Sequence, residues 1–488
     1  MRPAVATDPT GGSGGYRDEL VAGFLAAAAA HPERPAIAGD GSQLRYSELR
    51  ARVLAVAGRL GRGPGVVGVP ATHSVAAVTS LLGVWAAGGT YCPVDPGFPA
   101  GRRQAMLAAA GCRIVLGPDP QPTGTDLAVG PDGPDGPAYI LFTSGSTGEP
   151  KPVLTPRRAI GVATAALREL FGLTPADRVL QFASPNWDTS FEEILPTLTT
   201  GACLVCHPDA RAGSFPRLIR LLDAERITVL DLPTAFWHEL VGYLDQTGAP
   251  LPASLRLVII GGEPASGTRL AQWRALPTGH ARLLNTYGCT ETTLITHAAD
   301  LSGPLAAGTA EPAGQVPIGR PLPHVVEHLA GDGELLIGGP SLATGYRGLP
   351  RATAARFVTV GGHRFFRTGD RVHRLPDGSL ALLGRLDDEL KIRGVRVDPA
   401  EVEAHIAGHP GVDAVAVTGL RVADHTVLAA YVVARRPAGE TGLAASIADY
   451  LRGRVPEHLV PSRFRVVPQL AYTPTGKLDR RRIREVAG

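Results

Sequence analysis

Long apolar runs are missing from this chain. The densest, VAGFLAAAAA at residues 21–30, is far short of the roughly 20 residues that a bilayer span needs. The opening MRPAVATDPTGGSGGYRDEL has no apolar core of the signal-peptide kind. A cytoplasmic protein with no membrane contact is the simplest expectation. An excess of one charge is missing too: 48 Lys and Arg stand against 45 Asp and Glu, a formal +3, with no basic block. Nucleic acid and anionic surfaces are therefore not default partners. Cysteine is sparse and odd in number, five in 488 residues, which suits a reducing compartment better than a disulfide framework. Two of the five stand in CLVCH, Cys203 to His207, a spacing that also fits haem attachment or a metal. No second CxxC accompanies it, so a buried strand with cysteine as a small hydrophobe is the simpler reading.

What is present is a rhythm. Helical stretches (DELVAGFLAAAAAHP, YSELRARVLAVAGRL) alternate with short apolar strands (GVVGVP, CRIVLG), as parallel α/β layering requires. The rhythm continues through DRVLQFA, ACLVC, ITVLDL and LRLVIIGG, which read as central strands buried on both faces. From about residue 315 glycines become frequent and runs such as GELLIGG and SLALLG suggest a β-rich subdomain. After Asp387 strands and helices (PAEVEAHIAGH, SIADYLRGRV) form an α+β module of about 100 residues, ending in a polar tail. The expected division is a flexible tail at 1–15, a large N-terminal domain at 16–386 and a small mobile C-terminal domain at 387–488. GPDPQPTGTDLAVGPDGPDGP, at 117–137, reads as a surface linker.

The strand AYILF runs into TSGSTGEPK, comprising Thr143, Ser144, Gly145, Ser146, Thr147, Gly148, Glu149, Pro150 and Lys151. Hydroxyls, amides freed by glycine and one lysine are what a phosphate cradle needs. It is not a Walker A loop, because Pro152 follows the lysine. Taken alone, an ordinary Ser/Gly turn between strands is the commoner explanation.

Other segments change that balance. TSGSTGEPK, WAAGGTYCPVDP (85–96), NTYGCTETT (285–293), GELLIGGPSLATGY (333–346), FRTGD (366–370), GRLDDELKIRGVRVDPAEVE (384–403) and TPTGKLDR (473–480) occur in this order. Each resembles a motif of the adenylate-forming superfamily, in particular the adenylation domains of nonribosomal peptide synthetases. The resemblance spans nearly the whole chain. It implies attack of a carboxylate on the α-phosphate of ATP, with Mg2+, to give an acyl-adenylate and pyrophosphate. A phosphopantetheine thiol on a separate carrier protein then takes the acyl group.

The same resemblance implies roles. Thr143, Glu291 and Lys477 match catalytic positions, Glu291 as the magnesium ligand and Lys477 as the lysine that reaches the substrate carboxylate and α-phosphate. Residues 143–148 and Lys151 match the phosphate loop. Gly262, Glu263, Pro264, Asn285, Thr286, Tyr287, Gly288 and Thr290 match the nucleotide site, and Asp370 and Arg385 the ribose site. Asp387 matches a hinge, and Lys391, Arg393 and Gly394 the loop that replaces Lys477 for thioester formation. Three departures from the motifs are Pro152, Cys289 and Glu389. No carrier motif or condensation domain is recognisable in the sequence, so a stand-alone enzyme, monomeric or weakly dimeric, is the expectation. An acid:CoA ligase and a catalytically silent adenylate-binding protein are the alternatives, separated by supplying coenzyme A or a carrier and by looking for exchange activity.

Substrate choice turns on SPNWDTSFEE. Asp188 matches the aspartate that pairs with the amino group of an amino acid, and Glu193 a glutamate common to the family. The remaining pocket matches are Thr189, Glu192, Asp231, Ile259, Gly261, Thr286, Leu294 and Ile295, with Lys477 at the carboxylate end. Two further carboxylates, Glu192 and Asp231, thus stand in an otherwise small or apolar pocket. Thr189 to Glu192 is also a T-x-x-E capping box, which would turn Glu192 to backbone. Three acids would repel and be costly to bury unpaired. A substrate with two ammonium groups neutralises them, so a basic amino acid such as lysine, β-lysine or ornithine is expected.

Overall fold

The computed structural model describes residues 19–39, 41–117, 133, 135–145, 149–306, 315–392, 394–422, 425–435, 442–471, 478–480 and 482–483. The expected tail at 1–15 and most of the linker at 117–137 lie outside the described residues. So do Ser146, Thr147, Gly148, Arg393 and Lys477. Among the described residues no helix is long and apolar enough to cross a membrane.

The large domain is built on two sheets. The larger has parallel neighbours Arg178–Leu180, Val229–Pro233, Leu257–Gly261 and Arg282–Gly288 at its centre. These strands are almost wholly buried, as their largely apolar sequences require. The β-rich part beyond residue 315 is continuous with this sheet: Ile295–Ser302, Pro317–Pro321 and Leu380–Arg385 extend it with antiparallel pairings. The second sheet runs Gly345–Tyr346, Lys151–Pro156, Pro137–Thr143, Thr90–Val94, Val66–Pro70 and Ile114–Val115. Cys203–Val205 is a buried strand of the larger sheet, and all five cysteines are free thiols.

Helix Thr189–Thr200 joins the two sheets. Phe191 packs against the rings of Trp85, Tyr91 and Tyr139. Ile194, Leu195 and Leu198 share the same core with Ile259 and Leu284. A helix buried on so many sides delivers its polar residues into the protein interior, and this is why carboxylates stand beside the core.

The small domain has its own core around Val402, Ile406, Val417 and Ile447. Two details depart from the sequence reading. ELKIRGVRV folds as a hairpin, Leu390–Ile392 against Val395–Val397, with Gly394 in the left-handed region at its turn. The polar tail contains a strand, Arg463–Val466, parallel to His425–Ala434. Its alternating exposed and half-buried residues carry too little apolar signal to be noticed.

Candidate active site

A cavity of about 270 Å³ opens between the large domain and the small-domain hairpin. Its wall includes Asp188, Thr189, Glu192, Asp231, Gly261, Gly262, Thr286, Gly288, Thr290, Leu294, Ile295, Thr143, Lys391 and Gly394. Of the substrate-pocket positions read from sequence, Ile259 stays behind the wall: it pairs with Asp231 across neighbouring strands and belongs to the core.

Local geometry explains how these residues converge. Asp188 precedes helix Thr189–Thr200 with helical backbone angles and makes no side-chain cap there. The Phe191 and Ser190 amides bond to the Asp188 and Trp187 carbonyls, so the helical turn starts before Thr189. The T-x-x-E capping box is therefore not formed, and Glu192, 7% exposed, turns into the cavity. Asp231 sits mid-strand in an apolar sequence and is 4% exposed, with Oδ2 unpartnered. Thr293 and Leu294 both have left-handed backbone, a strained pairing for non-glycine residues. It brings Leu294 and Ile295 onto the wall. Thr286 Oγ1 donates to the Ile260 carbonyl at 2.9 Å, and a Cβ at Gly261 would lie 2.5 Å from that oxygen, so only glycine leaves room there.

The acids differ in electrostatics. Burial pushes the Asp231 carboxyl up to about 8. Burial, then Asp231 and Asp188, hold Glu192 well above the usual carboxylate range. Burial and the Glu291 charge push Asp188 up to about 6, against the pull of nearby amides and the Thr290 hydroxyl. Glu193 is different: its Oε1 accepts from the Phe182 and Ala183 amides at 3.0 and 2.9 Å, a structural tie between helix and strand end.

On the nucleotide side, Tyr287 donates to Asp370 Oδ2 at 2.7 Å and Arg385 Nη1 to Asp370 Oδ1 at 2.8 Å. Lys391 Nζ lies 5.6 Å from the Tyr287 ring centre. Arg385 also binds Asp387 through Nε at 2.7 Å. Asn285 turns away from the cavity to donate to the Pro317 carbonyl at 2.7 Å. Glu263 accepts from the Gly394 amide at 2.5 Å, and neither it nor Pro264 reaches the cavity wall. At the phosphate loop, Ser144 Oγ accepts from the Asp398 amide at 3.0 Å and the Gly145 amide donates to Glu401 at 3.1 Å. A Cβ at Gly145 would meet the Glu149 carbonyl at 2.2 Å. Lys151 Nζ lies 5.8 Å from the Tyr346 ring centre. Glu291 is fully buried and accepts from the Tyr346 hydroxyl at 2.7 Å and from Arg396.

Sequence reasoning missed Trp187, Phe182, Ser184 and Arg396 on the wall. Arg396 was reachable: in a hairpin that pairs Leu390–Ile392 with Val395–Val397, it is the cross-strand partner of Lys391.

Fold and site together define the architecture of adenylate-forming enzymes. The chain belongs to the AMP-binding enzyme family, which it matches over residues 24–347, with the AMP-binding enzyme C-terminal domain at 401–477. It is 40% identical over 93% of its length to an isonitrile lipopeptide synthase of Streptomyces coeruleorubidus, of which it covers 32%. It is 35% identical over 92% of its length to a phosphinothricin tripeptide synthetase of Streptomyces viridochromogenes, of which it covers 43%. The chain thus spans less than half the length of these curated relatives. Among solved structures it resembles an artificially fused adenylation–PCP di-domain from Klebsiella oxytoca, with a TM-score of 0.78 and 26% identity, covering 91% of this chain and 93% of that one. It also resembles holo-PA1221, a protein with adenylation and PCP domains, with a TM-score of 0.81 and 25% identity, covering 96% and 84%.

Proposed function

We propose that this chain activates an amino acid with two amino groups, of the lysine, β-lysine or ornithine type. The products are the aminoacyl-adenylate and pyrophosphate, and the acyl group then passes to the phosphopantetheine thiol of a carrier protein. The observation that carries the substrate class is the pair Glu192 and Asp231, both buried at one cavity and both pushed toward the protonated form. A buried acid pair without a cation is costly, and a distal ammonium supplies one. Asp188 binds the ammonium nearer the carboxylate, which orients the substrate carboxylate toward the nucleotide.

A carboxylate oxygen attacks the α-phosphorus and the bond to pyrophosphate breaks. A thiol sulfur later attacks the acyl carbon and AMP leaves. Thr143, Ser144, Gly145 and Lys151, with Ser146, Thr147 and Gly148, receive the phosphates. Tyr287 gives the adenine a flat wall, Asp370 with Arg385 receives the ribose, and Lys477 reaches the carboxylate in the first step. The small domain turns about Asp387, between the units at 16–386 and 387–488, and brings Lys391, Arg393 and Gly394 to the site for the second.

Mg2+ fits this site. An ion of this kind is held mainly by phosphate oxygens and one or two carboxylates. Glu291, a buried carboxylate already matched with a cationic side chain, has the chemistry to be that ligand. When bound, the ion neutralises developing negative charge on the phosphates.

ATP–pyrophosphate exchange across a panel of amino acids tests the reading. Preference for lysine-like substrates supports it, and preference for neutral or acidic ones overturns it.

A further inference from the structure

The side chain of Glu291 is 1% exposed and both its oxygens are covered by a residue of the small domain. Arg396 Nη1 lies 3.1 Å from Oε1 and 3.1 Å from Oε2. The same guanidinium binds Glu389 Oε2 through Nε at 3.0 Å. Glu389 also takes Arg385 Nη2 at 2.6 Å and Arg356 Nη2 at 3.4 Å, so it ties arginines from three segments of the chain. Glu389 is one of the departures from the family motif, where glutamine is common, and the added charge is what can aim Arg396.

A buried carboxylate left ionised without a counter-charge is costly. A guanidinium across both oxygens, with the Tyr346 hydroxyl on Oε1, competes with a metal ion for the same carboxylate, and two cations on one carboxylate repel. We propose that Glu291 is a cation-exchange site. Mg2+ accompanying the triphosphate occupies it while the adenylate forms. Arg396, aimed by Glu389, replaces the ion when it departs with pyrophosphate, so the hairpin docks only on a metal-free site. The inference rests on the adenylation reading for the identity of the ion and its phosphate companion. It makes Arg396 and Glu389 positioning residues that couple metal departure to domain orientation.

The test is Mn2+ titration of the full chain in the presence of α,β-methylene-ATP, followed by loss of the free-ion electron paramagnetic resonance signal. Wild type, Arg396→Gln and Glu389→Gln are compared. Removing or loosening the competing cation lowers the half-saturating Mn2+ concentration, by about tenfold for Arg396→Gln and less for Glu389→Gln. A merely structural role would weaken metal binding instead. Unchanged or weaker Mn2+ binding in Arg396→Gln overturns the exchange. If that variant does not fold, the near-isosteric Glu389→Gln decides by the same criterion. Carboxylate-dependent exchange of pyrophosphate into ATP by the wild type keeps the adenylation reading standing even then, whereas absence of both exchange and metal–nucleotide binding sinks both.

Discussion

Glu192, in the first turn of a buried helix, and Asp231, in the middle of a buried parallel strand, share the wall of one cavity. Asp231 is the leading charge that pushes the Glu192 carboxyl up, after burial itself. A pair of acids in such a place is costly to the empty protein, and on the proposed reading a diamino acid turns it into a binding feature.

Removing one charge from the pair weakens that grip. Glu192→Gln or Asp231→Asn is expected to raise KM for the preferred diamino acid about tenfold or more, from about 1.5–3 kcal/mol per charged hydrogen bond. KM for ATP stays near the wild-type value. Steady-state exchange kinetics with each substrate varied in turn check this, and wild-type KM in both variants would contradict it.

Proton uptake and release provide a second handle. With Asp231 pushed up to about 8, the empty pair keeps a proton near neutrality, and a substrate ammonium must expel it. KM for the diamino acid is therefore expected to fall as pH rises from about 6 to about 8. Calorimetric titration near pH 7 in buffers of different ionisation heat should read proton release in the wild type and less in Asp231→Asn.

Stability follows the same linkage. The folded-state value of Asp231 lies above its unfolded value of about 3.9. Its contribution is present below that value and lost as pH rises through about 8. Unliganded Asp231→Asn should thus gain Tm relative to wild type toward alkaline pH, with each kcal/mol worth a few degrees. Thermal scans at pH 5 and pH 8.5 compare the two, and an equal difference at both contradicts the assignment.

Glu193 has another task. Glu193→Ala strips the acceptor from the Phe182 and Ala183 amides, at about 1–3 kcal/mol for each amide left unsatisfied. A lower Tm is expected, with the rate ratio between diamino and neutral amino acids unchanged. A changed ratio at wild-type Tm would mean that Glu193 touches substrate.

The role proposed for Lys477, in the first half-reaction alone, has its own test. Lys477→Ala is expected to slow exchange by about 100-fold or more, while transfer from preformed adenylate to carrier thiol proceeds near the wild-type rate. Equal loss in both steps would contradict its place in the first alone.

Much of this was legible in the sequence. Short apolar strands such as LVIIG and VLDLP announce themselves because burial on both faces leaves no polar alternation. Asp231 stands out because it interrupts one. The half-exposed strand Arg463–Val466 was not legible for the opposite reason. The start of helix Thr189–Thr200 was misleading: T-x-x-E promises a cap, but the helical turn begins at Trp187 and leaves Glu192 free to face the cavity. Contacts across domains, such as Arg396 on Glu291, depend on how two separately folded units meet. Periodicity carries no signal for that.

The most direct test of the central claim is ATP–pyrophosphate exchange with wild-type protein across lysine, β-lysine, ornithine, neutral and acidic amino acids. The account predicts that a diamino acid gives the highest kcat/KM and that Glu192→Gln and Asp231→Asn each erode that preference. A neutral or acidic amino acid as best substrate, with both variants leaving the order unchanged, would contradict it.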